Sequence, residues 1–308
     1  MKPNALIIGS SGFLGSYFKK VLKDQFHLFT VDMIKEDRKD HLICNIASSC
    51  PQLKDVPYDI VVHNAGLAHR IPKNKKEANL FFSVNTEGFK NILASTTRLS
   101  HKPKCIVLIS TVAVYGRDVG EDIDESHPRN SETPYGQSKI QAEDALTEFA
   151  SINGMKFFIL RLPLLIGTNA KGNLQKITEA ISKGRYFNIK NNTAKKSAVL
   201  AEDVAKLLLT LPDSNASGIY NLTDSVNASF NELAEAISNK LGKKKLLSLP
   251  YFIVRLLSLV GDILHMIKLP FPLNKSILNK MYSSLTFSDT KARKELKWNP
   301  QSVLTFYK

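Results

Sequence analysis

Two side chains four positions apart, Tyr135 and Lys139 in the run Tyr135-Gly136-Gln137-Ser138-Lys139, are of the types that can move a proton together. If Tyr135 opens a helix, Lys139 projects one turn later from the same face, so that a phenol and an ammonium meet. A cation held there favours phenolate and draws the tyrosine pKa down from its reference value near ~10. The phenol then serves as proton donor and acceptor near neutral pH. Thr111 closes the apolar run Cys105-Ile106-Val107-Leu108-Ile109-Ser110. From a strand end its hydroxyl can reach the same substrate oxygen. A tyrosine and a lysine at this spacing occur in many helices, so the elements around them must carry the reading.

Those elements begin with Ala5-Leu6-Ile7-Ile8, a short apolar run of the kind buried on both faces of a parallel sheet. Gly9-Ser10-Ser11-Gly12-Phe13-Leu14-Gly15 follows, and then a helical stretch from Ser16. Glycines allow a tight turn and close approach of backbone to a pyrophosphate, and the helix start offers free N–H groups and a positive dipole end. Gly9, Ser11, Gly12, Phe13, Leu14 and Gly15 are therefore the expected cofactor loop, spaced G-x-x-G-x-x-G rather than G-x-G-x-x-G. His27-Leu28-Phe29-Thr30-Val31 makes a second strand ending at Asp32. An acid there suits the ribose hydroxyls of an adenosine and repels a 2′-phosphate, which favours NAD. Arg38, near in sequence, leaves NADP open. Asn45, with Ile46 beside it, is placed to meet the adenine edge, and Ala65 and Gly66 form a small-residue turn beneath the cofactor. His63, at the end of a buried strand, is expected to hold a structural hydrogen bond, and Asn85 to tie two elements together. These elements predict an α/β fold, a Rossmann-type doubly wound parallel sheet with a smaller, mostly helical C-terminal substrate region. The expected division is 1–166 with 195–225 for the dinucleotide, and 167–194 with 226–308 for substrate.

The 308 residues are 43% hydrophobic and 23% charged, as in an ordered globular protein. A formal charge of +14 suits a phosphate-bearing substrate or an anionic membrane surface. The lysines are spread along the whole chain, which excludes a nucleic-acid-binding arm. Cys44, Cys50 and Cys105 have no metal-ligand spacing and are odd in number, so neither a metal site nor a disulfide framework is expected. A reducing cytoplasm is the inferred compartment, and the apolar run starting at Ala5 leaves no room for a signal peptide.

The glycine loop, the Asp32 strand end, Asn64-Ala65-Gly66, Val84-Asn85-Thr86-Glu87-Gly88, Ser110-Thr111-Val112-Ala113-Val114-Tyr115-Gly116 and Tyr135-x-x-x-Lys139 together resemble an extended short-chain dehydrogenase/reductase. More narrowly, the chain is similar to the nucleotide-sugar epimerase/dehydratase family over nearly its whole length. The resemblance implies that Tyr135 is the acid/base, that Lys139 holds the ribose and tunes Tyr135, and that Thr111 polarises the sugar hydroxyl or carbonyl. It implies a UDP-linked sugar as the expected substrate and a homodimer as the expected assembly. Asn173, in Lys171-Gly172-Asn173, matches the substrate loop, where it can donate to a nucleotide phosphate or base. Lys196 stands where relatives carry an arginine and can pair with a diphosphate as a point charge.

In 4,6-dehydratase relatives an Asp-Glu pair directly follows the residue matching Thr111. Here the pair is Val112-Ala113, which cannot move a proton, so that elimination is rejected. Leu164 replaces the asparagine many members carry. With the Lys171-Gly172-Asn173 loop and the Leu-rich C-terminal helix, it brings the chain closer to reductases of 4-keto-6-deoxy-aminosugar nucleotides than to housekeeping galactose epimerases. An epimerase or 4-ketoreductase acting at C4 is the expected function, and a non-catalytic dinucleotide-binding sensor is the alternative. One stretch, Lys243-Lys244-Lys245 followed by the apolar residues 246–269, is interrupted by Pro250, Arg255, Asp262 and His265 and is not a span. Ile253, Leu256, Leu257, Val260, Ile263, Leu264 and Ile267 follow helical spacing and predict a helix with one buried face. Its expected role is to cap the substrate region, with peripheral attachment to an anionic membrane through 243–269 as the other reading.

Overall fold

The computed structural model describes residues 2–68, 70–170, 172–269 and 271–308. Strands β1 (Asn4–Ile8), β2 (His27–Asp32), β3 (His41–Ile43), β4 (Ile60–His63) and β5 (Cys105–Thr111) build most of a central sheet. Strand β6 (Gly120–Ile123) leaves it, β7 (Lys156–Leu162) rejoins it, and β8 (Leu164–Ile166), β9 (Phe187–Ile189) and β10 (Ala198–Leu200) lie outside it. Strand β11 (Gly218–Asn221) closes one edge, giving the order β11-β7-β5-β4-β1-β2-β3 with every pairing parallel. Strands β12 (Leu247–Leu249) and β13 (Leu285–Phe287) pair with β9 and β6, and β10 pairs with β8. The winding reverses between β1 and β4, and the crevice beyond their carboxyl ends is where such sheets bind ligands. The fold is the doubly wound α/β arrangement that the motifs predict.

The helices are α1 (Phe13–Leu22), α2 (Lys75–Phe81), α3 (Gly88–Thr96), α4 (Pro134–Asn153), α5 (Asn173–Ser182), α6 (Ala201–Leu207), α7 (Phe230–Lys240), α8 (Tyr251–Met266), α9 (Lys275–Tyr282) and α10 (Thr290–Leu296). The period-two pattern of the strands splits the core into two layers. Ile7, Val62, Val107 and Leu160 pack on one face of the sheet with Phe18 of α1 and Val204 of α6. Leu6, Val61, Leu108 and Ile159 pack on the other with Phe89 of α3 and Leu146 of α4. Because both faces are covered, the strands can be apolar throughout, which is why they stand out in the sequence. The last helix returns to the first layer through Ala292 and Leu296, and Trp298 seals it, its indole N–H donating to the Thr223 carbonyl at 2.9 Å.

One expectation is met only in part. Helix α8 forms, and of the residues expected to be buried Ile253, Leu257 and Leu264 are half-buried, Leu257 packing beside Val254, whereas Leu256, Val260, Ile263 and Ile267 are exposed. The inward positions are Val254, Ser258 and Gly261. A Cβ on Gly261 would run into the backbone carbonyl of Leu273, and Ser258 Oγ donates to the Arg255 carbonyl at 2.7 Å. Close seating of the backbone against 271–273 therefore selects small residues at Ser258 and Gly261, while Val254 and Leu257 fill the space beside them.

Candidate active site

The cofactor cradle is set by backbone geometry at two glycines. Gly9 leaves β1 with φ +82, and a Cβ there would lie 2.5 Å from the Ala65 nitrogen, so the turns after β1 and β4 touch only because Gly9 has no side chain. Gly15, one turn into α1, faces the Gly9 and Ser10 carbonyls with no room for a Cβ. Gly12 differs: a methyl at this position would meet Gly9 O at 3.5 Å and Asn64 Nδ2 at 3.8 Å, both ordinary distances. Nothing in the protein fold forbids a side chain at Gly12, which points to a ligand as the reason for the glycine. Gly12 is the N-cap of α1 and no side chain caps the helix, leaving the amides of Phe13, Leu14 and Gly15 without intrahelical acceptors. The Leu14 side chain is in the core, so only its backbone faces this end. Free amides and a dipole end suit a pyrophosphate.

Asp32, at the end of β2, accepts from the Ser11 amide at 2.9 Å and the Ile34 amide at 3.1 Å, so it holds the glycine loop. A second acid that sequence reading missed, Glu36, accepts from Ser10 Oγ at 3.2 Å, Ser11 Oγ at 2.9 Å and Lys19 Nζ at 2.5 Å. Burial raises its pKa, but Lys19 and Ser11 outweigh this and hold the carboxyl below its usual value. Arg38 turns the other way, its guanidinium approaching the Leu28 carbonyl at the start of β2. Two carboxylates, Asp32 and the Lys19-paired Glu36, thus stand against the glycine loop. Asn45 opens a turn, accepting from the Ala47 amide at 3.1 Å, while Ile46 is buried and its carbonyl takes the Asn91 amide at 2.7 Å.

Thr111 ends β5 and caps the short 3-10 turn Val112–Tyr115, its hydroxyl accepting from the Ala113 amide at 3.2 Å. Helix α4 starts where it must: Thr133 is its N-cap, accepting from Gly136 N at 3.1 Å, and Pro134 takes the first position, where a missing N–H costs nothing. That start places Tyr135 in the first turn of α4, its ring edge-on to Phe81 with centroids 6.1 Å apart and Thr111 the polar side chain on the phenol side. Burial pushes the Tyr135 pKa above the ordinary tyrosine value, and the Thr111 hydroxyl pulls part of it back. The direction is opposite to the lowering that the Tyr135–Lys139 spacing predicts. The reason is that the buried Lys139 ammonium donates to the Ile109 carbonyl at 2.6 Å, the nearest strong acceptor, while the phenol remains protonated. Burial brings Lys139 down to about 8, against the Glu143 carboxylate, which raises it. Gly66 lies beside Lys139: a Cβ on Gly66 would be 4.0 Å from Lys139 Nζ and 3.1 Å from Asn85 Oδ1. The catalytic candidates and the small-residue turn therefore share one end of the sheet, at the reversal between β1 and β4.

Residues 5–223 match the family model described as Epimerase, the NAD dependent epimerase/dehydratase family. The chain belongs to this family. The N-acetyl-alpha-D-glucosaminyl-diphospho-ditrans,octacis-undecaprenol 4-epimerase of Escherichia coli O157:H7 is 27% identical over 267 residues, 82% of this chain and 76% of that protein. The UDP-glucose 4-epimerase of Vibrio cholerae is 26% identical over 257 residues, 79% of this chain and 77% of that one. Among solved structures, the UDP-N-acetylglucosamine 4-epimerase from Bacillus cereus shares the fold with a TM-score of 0.74 at 20% identity, over 99% of this chain and 98% of that chain. The family read from the ordered motifs is the one the comparison gives.

Behind this epimerase-family site lies a buried polar network that sequence reading missed. Glu143, one turn beyond Lys139, accepts from Arg161 Nε at 3.1 Å, Arg161 Nη2 at 2.7 Å and Ser110 Oγ at 2.5 Å. Arg161 also donates to Tyr115 OH at 2.9 Å, and Tyr115 donates to Asn221 Oδ1 at 2.8 Å. Burial disfavours the Arg161 charge, and Glu143 and Tyr115 more than restore it. The network ties α4, β5, β7 and β11 together directly under Thr111 and Lys139. A signal was available: Tyr135, Lys139 and Glu143 recur every four residues, and Arg161 interrupts the apolar run of β7.

Asn85 is the tie that its position predicts. It sits in a π-helical turn, Phe82–Glu87, accepts from the Leu67 amide at 2.7 Å and donates to Ser138 Oγ at 2.9 Å. The widened turn aims its amide inward. His63 does not hold the expected structural hydrogen bond. Its ring is fully buried against Phe89, centroids 4.6 Å apart, and among the described residues neither nitrogen has a hydrogen-bond partner, although the Ala65 backbone lies near. Lys196 is partly buried with its ammonium 5.9 Å from the Phe230 ring, and burial lowers its pKa while Asp118 raises it. Asn173 is the first residue of α5, but its side chain, like Lys171, lies outside the described residues. Among the described residues no group of His, Cys, Asp or Glu is arranged to hold a metal.

Proposed function

We propose that this protein is an NAD-dependent nucleotide-sugar 4-epimerase or 4-ketoreductase, working at C4 of a nucleoside-diphosphate hexose with Tyr135 as acid and base. The observation that carries the proposal is that the start of α4, with Tyr135, is pinned by the buried Lys139 to the end of β5, where Thr111 stands, at the crevice that the Gly9–Gly15 loop opens. The glycine loop and the α1 amides would hold the pyrophosphate, Asp32 the adenosine ribose, and Lys139 with the Ala65-Gly66 turn the nicotinamide side; NADP is disfavoured by Asp32. The nicotinamide supplies a hydride acceptor and donor. Thr111 and Tyr135 bind one sugar oxygen between them. In the reductive direction the protonated phenol donates to that oxygen as it gains charge. In the oxidative direction Tyr135 takes the hydroxyl proton, and the cation at Lys139, one turn away, is the group able to stabilise the phenolate.

Val112 and Ala113 carry no proton chemistry, so no elimination accompanies these steps. Lys196 would pair with a diphosphate as a point charge, and Asn173 would contact the nucleotide. The relatives named above act on diphosphate-linked sugars, by their names, and a UDP sugar is the first substrate to test. The division into 1–166 with 195–225 for cofactor and 167–194 with 226–308 for substrate belongs to the same proposal, as does a homodimer.

The test offers purified protein UDP-hexoses, UDP-N-acetylhexosamines and their 4-keto-6-deoxy derivatives, with NAD, NADH or NADPH. Isomerisation without net change of cofactor supports the epimerase, and stoichiometric loss of NADH with a keto-sugar supports the ketoreductase. Tyr135→Phe is expected to lose about 100- to 10,000-fold of either activity while still binding NAD. A Tyr135→Phe protein with undiminished turnover would overturn the proposal.

A further inference from the structure

The solvent face of α8 differs from the other helices. Phe252 is 64% exposed, Leu256 59%, Ile263 61% and Met266 83%. With Leu259 between them, these positions advance by three or four residues and form one stripe along the helix. The stripe is fixed outward, because Gly261 abuts the Leu273 carbonyl and a rolled helix would have to place large side chains there. A continuous apolar stripe on a folded surface marks an interface. Exposed cations flank it: Lys243, Lys244 and Lys245 where the chain enters, Arg255 within the helix and Lys268 where it leaves. The helix has one acid, Asp262, which is half-buried and accepts from the Lys275 amide at 3.4 Å.

We propose that this face docks on the surface of an anionic lipid bilayer. Charge selects the occupant: the chain carries a formal +14, and a second copy would bring the same lysines against one another, whereas anionic headgroups neutralise them. Geometry selects the mode. The 16 residues of α8 reach about 24 Å, short of a hydrocarbon core about 30 Å thick. No helix among the described residues is long and apolar enough to cross. The helix therefore lies in the interfacial plane, its stripe among the upper acyl chains and its lysines at the headgroups. The docking face is joined to the catalytic end. Helix α9 packs on α8 through Leu278 and Val254, and its Lys280 reaches Asp118, in the loop after Thr111 and Tyr115, at 3.4 Å. The inference rests on this surface and does not depend on which sugar is turned over.

Flotation of the full chain with phosphatidylcholine–phosphatidylglycerol vesicles, and separately with phosphatidylcholine alone, tests it. The protein is expected to float with the anionic vesicles, to float less with the neutral ones and to be released by salt. Ile263→Ser is expected to weaken binding about tenfold, and the triple change Lys243→Gln, Lys244→Gln, Lys245→Gln by about tenfold or more. If the helical variant unfolds, the lysine variant, in exposed chain ahead of α8, still decides the matter. Absence of flotation with anionic vesicles overturns the inference. So does binding untouched by both variants, or a concentration-dependent dimer in solution that Ile263→Ser dissolves, which would make the face a contact between copies.

Discussion

The Glu143 carboxylate and the Arg161 guanidinium face each other through two hydrogen bonds, of 3.1 and 2.7 Å, with both side chains shut off from water. Two more donors, Ser110 and Arg129, complete the carboxylate, and Tyr115 occupies the remaining guanidinium edge. The pair stands between the last strands of the sheet and the helix carrying Tyr135 and Lys139. Removing the Glu143 charge leaves the Arg161 guanidinium buried with no carboxylate beside it. Glu143→Gln is expected to destabilise the fold by about 3–5 kcal/mol in urea titration. The double change Glu143→Gln, Arg161→Met should recover a good part of that loss, and a double mutant no more stable than the single would rule out uncompensated charge as the cause.

Gly12 and Gly15 should separate binding from folding. Gly15→Ala drives a methyl into the Gly9 and Ser10 backbone and is expected to cost about 1–3 kcal/mol of stability. Gly12→Ala meets nothing closer than 3.5 Å, and its backbone, at φ −70, suits alanine. It should cost no more than about 1 kcal/mol. Equilibrium dialysis should nevertheless find NAD bound about tenfold or more weakly by Gly12→Ala. Unaltered affinity would mean that the glycine does not face the cofactor.

His63 predicts a pH dependence. Burial, and then the Lys139 cation, hold its pKa down to about 3 in the fold, against ~6.5 in the unfolded chain. Above the unfolded value both states are neutral and the full stability is present. As pH falls below it, the unfolded chain takes up a proton that the fold refuses, and stability is lost by up to ~1.4 kcal/mol per pH unit until about 3 is reached. Denaturation midpoints followed across the acid range should therefore fall less steeply for His63→Phe than for the parent. Parallel slopes would show that the imidazole is protonated in the fold.

At the proposed adenosine end Asp32 carries the free carboxylate charge, since Glu36 is paired with Lys19. Asp32→Ala should raise the ratio of kcat/KM with the 2′-phosphorylated cofactor to that with NAD by about tenfold. Replacing Arg38 with Gln should leave the ratio unchanged, because its guanidinium is turned to the Leu28 carbonyl. A ratio that responds to Arg38 and not to Asp32 would invert this assignment.

The sheet was legible because burial on both faces makes its strands apolar runs, and the cradle because glycines there answer to backbone contact. Tyr135, Lys139 and Thr111 were legible as a spacing between a helix start and a strand end. What escaped depends on three-dimensional competition. Lys139 sits four residues from Tyr135 and yet donates to Ile109, since a carbonyl in a desolvated pocket outbids a neutral phenol. Glu36 folds back on the glycine loop from a stretch whose sequence shows only a polar turn. The inward face of α8 is legible only in part, because hydrophobic periodicity reports where large apolar residues lie, and close backbone approach at Gly261 reserves that part of the inside for small ones.

That packing changes what α8 tolerates. In most helices of a folded protein, substitution is free where the side chain meets water and restricted inside by the need to fill space. On α8 the inner positions Ser258 and Gly261 should reject any enlargement, while the outer stripe should accept exchange among Leu, Ile, Phe and Met. A saturation library scored for folding alone would find that stripe permissive. Under the docking proposed above, the same library scored for flotation with anionic vesicles would find it constrained by polarity rather than by shape, as a surface fitted to a fluid rather than to a partner of fixed form would be.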